Sequence, residues 1–137
     1  MEYPDYPSEK LREFATPRMY VSAPIFGHDA LVRAARFERG RIIAEDAGFI
    51  AVIPPDLKPE GHIGPCPPGR RTEGSIHAEA CWFKADIKAL LNCAAILLMD
   101  GWVSSWGCKL ELQIASLCGV GAYVPYLDSD GAQLKRL

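Results

Sequence analysis

Gly101-Trp102-Val103-Ser104-Ser105-Trp106-Gly107-Cys108-Lys109-Leu110-Glu111-Leu112-Gln113-Ile114-Ala115 is the stretch whose reading decides the fold. Before it runs Ala94-Ala95-Ile96-Leu97-Leu98-Met99, an apolar segment of buried-strand length that stops at Asp100. After it, Leu110, Ile114, Leu117 and Cys118 recur at three- and four-residue intervals, the period of a helix with one apolar face. Ser104 or Ser105 offers a hydroxyl to cap the first turn. The order is strand, glycine- and serine-containing turn, helix. In open α/β sheets such turns gather at the carboxyl ends of the strands, where helix N-termini offer N–H groups and a partial positive charge to an anion. Glu111 lies about one turn into the helix, beside that mouth. Position alone leaves it either a surface residue complementing the helix dipole or a catalytic carboxylate.

Working outward, the same alternation repeats. Met19-Tyr20-Val21-Ser22-Ala23 reads as a short strand stopped by Pro24, followed by a tight loop through Ile25, Gly27 and His28. Asp29 can cap a helix over roughly 30–47, with Leu31, Ala35, Ile42 and Ala47 on its apolar stripe. Gly40 weakens that helix and Gly48 ends it. Phe49-Ile50-Ala51-Val52-Ile53 reads as a second, inner parallel strand closed by Pro54-Pro55. Residues 56–75 are rich in proline and glycine and read as a mobile loop carrying His62, Arg70 and Arg71. Helix resumes near Ile76 or Glu79 and ends near Leu91, and Ala122-Tyr123-Val124-Pro125-Tyr126 supplies a fourth strand, with Pro125 marking an edge or a strand end. The tail from Asp128 is polar and short, and residues 1–17, with three prolines, form an arm outside the core.

The expected fold is therefore α/β: one domain over 18–137, doubly wound and flavodoxin-like (Rossmann-like), with a mainly parallel sheet of four to five strands and helices on both faces. The turns after the first and third strands should meet where strand order reverses, setting Ser22 to Gly27 opposite Asp100 to Gly107.

Composition narrows the function class. With 137 residues, 49% hydrophobic and 23% charged, the chain suits a single globular domain. A net charge of −2 gives no electrostatic footprint for duplex nucleic acid or an anionic membrane surface. No apolar run approaches the roughly 20 residues of a membrane span, and the N-terminus lacks the layout of a secretory signal, so a cytoplasmic protein with a small-molecule ligand is expected. Cys66, Cys81, Cys93, Cys108 and Cys118 include no C-x-x-C pair. They read as buried or idle thiols, and although His77 and Cys81 share a helical spacing, two ligands do not make a metal site. No metal and no cofactor are expected.

Tyr20-Val21-Ser22-Ala23-Pro24-Ile25 with its loop glycine, Ala85-Asp86-Ile87-Lys88-Ala89-Leu90, and Gly101-Trp102 with Ser105-x-Gly107-x-x-x-Glu111 and Ala115 follow in that order on those elements. Together they resemble the nucleoside 2-deoxyribosyltransferase-like superfamily, in particular its small phage and bacterial branch, over about residues 18 to 126. The resemblance implies a flavodoxin-like fold and a homodimer or larger assembly in which neighbouring subunits complete the sites. It also implies either transfer of a deoxyribosyl group between bases or hydrolysis of the N-glycosidic bond of nucleoside monophosphates. It makes Glu111 the nucleophile at the anomeric carbon, Asp86 the assisting carboxyl group and Tyr20 a pocket-lining residue. Ser22, Ala23, Pro24, Ile25, Gly27, Trp102, Ser105 and Gly107 become substrate-binding positions.

Two features depart from the nucleotide-hydrolase pattern: Ala23-Pro24 replaces a glycine-serine pair, and Trp102 and Trp106 bracket the site turn. Trp102 can stack on a base or cover the sheet edge. The position six residues before the glutamate is an aspartate in nucleoside transferases and a serine in nucleotide hydrolases. Ser105 therefore points to a 5′-phosphorylated substrate, since a serine donates to a phosphate that an aspartate would repel. The expected activity is an N-glycosidase acting on (deoxy)nucleoside 5′-monophosphates. A base-exchanging deoxyribosyltransferase and a non-catalytic nucleotide-binding module are the alternatives.

Overall fold

A computed structural model describes residues 16–25, 29–59, 66–67, 77–128 and 131–137. The arm over 1–15, most of the 56–75 loop, and Gly27, His28, His62, Arg70 and Arg71 lie outside these residues. Five strands, β1 (Arg18–Ser22), β2 (Ile50–Val52), β3 (Ala95–Leu98), β4 (Gly121–Asp128) and β5 (Gly131–Arg136), form one sheet in the order β2-β1-β3-β4-β5. The first four are parallel, and β5 returns antiparallel to β4. Three helices, α1 (Ala30–Asp46), α2 (Glu79–Leu91) and α3 (Trp106–Leu117), complete the α/β fold.

Side-chain alternation along β1 divides the core into two layers. Met19, Val21 and Ala23 face α1 and join Phe37, Ile43, Ala44, Leu97 and Met99. Tyr20 faces the other side with Ile96, Leu98, Leu90 of α2, and Cys108 and Ala115 of α3. The helices thus cover opposite faces of a sheet whose central strands are buried on both.

Local chemistry sets the helix starts. Asp29 takes an extended conformation and its Oδ1 accepts the Leu31 N–H at 2.7 Å, so α1 begins where its cap directs. Gly48, with φ of 91°, follows the end of α1 in the left-handed region where glycine is unstrained. Gly40 is more than a weak point in α1. A Cβ on it would lie 2.5 Å from Val21 Cγ1 and 3.2 Å from Met99 Sδ, so its bare backbone lets α1 lie close on β1.

The C-terminal tail differs from the sequence expectation. It forms β5, pairing from Asp128↔Gly131 to Tyr123↔Arg136, so β5 rather than β4 is one sheet edge, and β2, expected to be an inner strand, is the other. The Leu137 N–H donates to the Ala122 carbonyl, and antiparallel alternation then turns the Pro125 nitrogen away from β5. On that side the β3 ladder has already ended, its last rung being Leu97↔Tyr123. Pro125, which has no N–H to donate toward β3, follows that last rung. Among the described residues no helix is long and apolar enough to cross a membrane.

Candidate functional site

The strand order reverses between β1 and β3, and this is where the chain collects its polar residues. β1 and β3 run in register from Met19↔Ala95 to Ser22↔Leu98, and the Met99 N–H donates to the Ser22 carbonyl at 2.9 Å. Beyond their carboxyl ends the two turns meet: a Cβ on Gly101 would lie 3.3 Å from Pro24 Cγ. Gly101 itself has φ of 88°, a conformation that lets the chain reverse out of β3 into the short 3-10 turn Trp102–Ser104.

Ser105 ends that turn and begins α3. Its Oγ accepts the Cys108 N–H at 3.3 Å and its carbonyl accepts the Lys109 N–H, making it the N-cap. The Trp106 and Gly107 N–H groups precede the first intrahelical bonds and point out of the helix end. A Cβ at Gly107 would meet open space.

Glu111 lies one further turn along α3. Ser22 Oγ–H donates to Glu111 Oε1 at 2.9 Å, tying β1 to α3 across 89 residues of sequence. Among the described residues, Ser22 is the buried polar residue of the core. Burial pushes the Glu111 carboxyl above its ordinary value, while the Tyr20 and Ser22 hydroxyls hold it back. Tyr20 is fully buried, and its Oη finds no partner in full hydrogen-bonding geometry among the described residues. Desolvation, then the charges of Glu111 and Asp86, push its phenol far up, so it stays a hydroxyl at every working pH.

Asp86 faces the same cluster from α2. Burial first and the Glu111 charge second raise its carboxyl from 3.8 to about 7. Both carboxyl groups are thus pushed upward by burial, and the charge of Glu111 adds to the rise of Asp86.

The other predicted residues take distinct places. The Ala23 side chain belongs to the α1-side core, so only its backbone can serve the crevice; Pro24 is buried at its edge and Ile25 is exposed. Trp102 is half-buried and packs on the core layer containing Tyr20, whereas Trp106 opens α3 fully exposed. Gly27 lies outside the described residues.

Sequence reasoning passed over Cys108. It is buried among the site residues, with the Ser105 and Ser22 hydroxyls and the Glu111 charge acting on its thiol, and burial dominates to keep it protonated. The stripe read from sequence, Leu110, Ile114, Leu117 and Cys118, left Cys108 across the helix; in the structure Cys108 and Ala115 are buried while Leu117 and Cys118 are exposed. Sequence reasoning also missed a grouping away from this crevice, where Cys66 joins His77 and Cys81.

Fold and site define a mainly parallel α/β domain with a polar, carboxylate-bearing crevice at its topological switch point. The chain belongs to the family described as Domain of unknown function (DUF4406), whose model matches residues 17–123. No curated protein matches it. Among solved structures it is similar to a conserved protein from Enterococcus faecalis, with a TM-score of 0.55 and 19% identity over 84% of this chain. The chain spans 66% of that protein's length, and the likeness is one of fold.

Proposed function

We propose that the chain is an N-glycosidase that hydrolyses the base–sugar bond of (deoxy)nucleoside 5′-monophosphates, with Glu111 as nucleophile. The observation that carries this reading is the meeting of Glu111, bonded by Ser22, with Asp86, whose carboxyl is raised to about 7 in part by the Glu111 charge, at the mouth of the β1–β3 crevice. Cleavage of a glycosidic bond passes through an oxocarbenium-like state, which a carboxylate stabilises and can trap covalently, while an acid protonates the leaving group. Glu111, held by Ser22, suits the first role. Asp86, protonated until about pH 7, suits the second.

Attack of Glu111 on the anomeric carbon would break the C–N bond as the base takes the Asp86 proton. Water would then cleave the glycosyl ester, returning a proton to Asp86 and releasing the sugar phosphate. The Tyr20 hydroxyl, without a full protein partner, is available to the sugar or to Glu111. The N-terminus of α3, with Ser105 and the open space over Gly107, is a suitable seat for the 5′-phosphate. The resemblance of these residues to the nucleoside 2-deoxyribosyltransferase-like superfamily supports the same assignment, and the matched family carries no assigned activity.

The test is incubation of the purified protein with each nucleoside and nucleoside monophosphate, with and without a second free base, followed by chromatography. Release of base and sugar phosphate from monophosphates is expected, and Glu111→Gln should abolish it while leaving the circular dichroism spectrum intact. Base exchange without free sugar would reassign the chain as a transferase. Binding without base release across the panel would make it a nucleotide-binding module.

The working form is proposed to be a cytoplasmic homodimer. Leu31, Val32, Ile42, Leu117 and Leu127 are large apolar side chains left exposed on one copy. Sedimentation at micromolar concentration should give twice the chain mass, and a monomer would refute the assembly.

A further inference from the structure

We propose that Cys66, His77 and Cys81 form a zinc site that ties the long connection after β2 to the start of α2. This inference is independent of the glycosidase reading. The two sulfurs and an imidazole nitrogen all lie within 4.8 Å of one another. Cys66 Sγ lies 3.8 Å from His77 Nδ1, the two residues being 11 apart in sequence. A tetrahedral zinc, with bonds of about 2.3 Å to sulfur and about 2.0 Å to nitrogen, spaces such ligands by roughly 3.5–3.8 Å. The donors therefore stand close to ligating distance.

A thiol–imidazole hydrogen bond would account for the Cys66–His77 approach, but not for the convergence of Cys81 on the same point. Two thiolates and an imidazole are a soft set that selects zinc over magnesium or calcium. One position of the tetrahedron is left for water or a further donor. Ion entry displaces both thiol protons to solvent.

The local structure gives the ion a task. α2 begins with Ala78 at its N-cap, a side chain that cannot cap. His77 immediately precedes that position and Cys81 lies in the first turn, so an ion held by both fixes the helix start. Cys66 brings in the connection: residues 57–76 separate the 3-10 turn Pro54–Asp56 from His77, and none of the described ones is helix or strand. Closing such a segment through a metal offsets the entropy of ordering it. The sequence also carries the H-x-x-x-C spacing twice, at His62–Cys66 and His77–Cys81, with His62 outside the described residues. Asp86 lies five positions beyond Cys81 on α2, so the ion would hold the helix and not touch the reacting atoms.

The experiment uses the full chain, purified without chelator and then loaded with zinc(II) or cobalt(II). One zinc per chain is expected by elemental analysis. The cobalt form should show a strong thiolate-to-metal band near the ultraviolet and intense visible bands of a tetrahedral ion. Cys66→Ser, His77→Ala and Cys81→Ser should each weaken zinc binding at least tenfold in a chelator competition, with Cys118→Ser, which alters an exposed thiol, unchanged. Should a variant fail to fold, the wild-type titration decides alone. Less than about a tenth of an equivalent of zinc on the wild-type chain, no cobalt–thiolate band, or binding indifferent to all three variants would overturn the site.

Discussion

Replacing Glu111 by Gln removes one charge from the site and should move the titration of its neighbour by a bounded amount. Asp86 stands at about 7 against an ordinary 3.8, and its two causes are burial, the larger, and the Glu111 carboxylate. Since burial accounts for more than half of the rise, Glu111→Gln should lower the Asp86 midpoint without taking it below about 5.5. Carbon-13 NMR of aspartate side chains reads this directly in both proteins. The same shift makes a stability prediction. The folded state holds the Asp86 proton more tightly than the unfolded chain, so this contribution is fully present below about pH 3.8 and is lost as pH rises through about 7. At about 1.36 kcal/mol per pH unit the shift would give about 4 kcal/mol, and solvent screening of the part-exposed carboxyl brings the loss well below that. Urea denaturation at pH 5 and pH 8 should show wild type losing stability relative to Asp86→Asn, whose side chain does not titrate. An Asp86 midpoint below about 5 in wild type, or one that ignores Glu111→Gln, would refute the coupled pair and with it the proposed division of acid and nucleophile.

Ser105→Asp keeps an N-cap oxygen on α3 but places a negative charge where the phosphate is proposed to sit. It should weaken monophosphate binding far more than nucleoside binding, measured by calorimetry; equal losses would remove the phosphate from this end of the helix. Gly40→Ala adds a Cβ 2.5 Å from Val21 Cγ1, on a β-branched side chain with little freedom to turn. Overpacking of about 1–3 kcal/mol should outweigh the helix-propensity gain of about 1 kcal/mol, and a urea midpoint at or above wild type would contradict the close approach.

The type and order of most elements were readable from sequence, but the helix faces were not: Leu31, Ala35, Ile42 and Ala47, the stripe read for α1, are exposed, while Phe37, Gly40, Ile43 and Ala44 are buried. Asp29 marked the start of α1, the apolar run to Met99 marked β3, and the alternation of elements implied the parallel sheet. The fifth strand escaped because Gly131-Ala132-Gln133-Leu134-Lys135-Arg136 buries little: only Leu134 is half-buried, so the segment carries no apolar alternation. Its one local cue was Asp130-Gly131, a pair common at hairpin turns. Gly40 illustrates a second limit. A one-dimensional reading registers a helix penalty, whereas the reason for the glycine is contact with Val21 and Met99, residues 19 and 59 positions away. Glu111 and Asp86 were singled out through resemblance, since position alone made each a plausible surface residue. The Cys66, His77 and Cys81 grouping was obscured by the irregular sequence between its members.

The location of the polar cluster follows from the phase of one short strand. With a side-chain period of two, Met19, Val21 and Ala23 must share one face of β1, and Tyr20 and Ser22 the other. A polar residue at position 21 would point into the α1 layer beside Gly40. At 22, on the last residue of β1, it points toward α3, where the chain leaves the sheet and the parallel ladder to β3 ends. For α3 to answer with a carboxylate, its acidic residue must lie far enough along to reach back to Ser22, and the residues before it must be small enough to leave room. Glu111 meets the first condition through its bond to Ser22. Gly107, with open space beyond it, and Cys108, buried against the strand, meet the second. The strand's alternation and the helix's small first turn are thus two halves of one requirement: a charged group admitted at the sheet's end while the apolar layer beneath it stays closed.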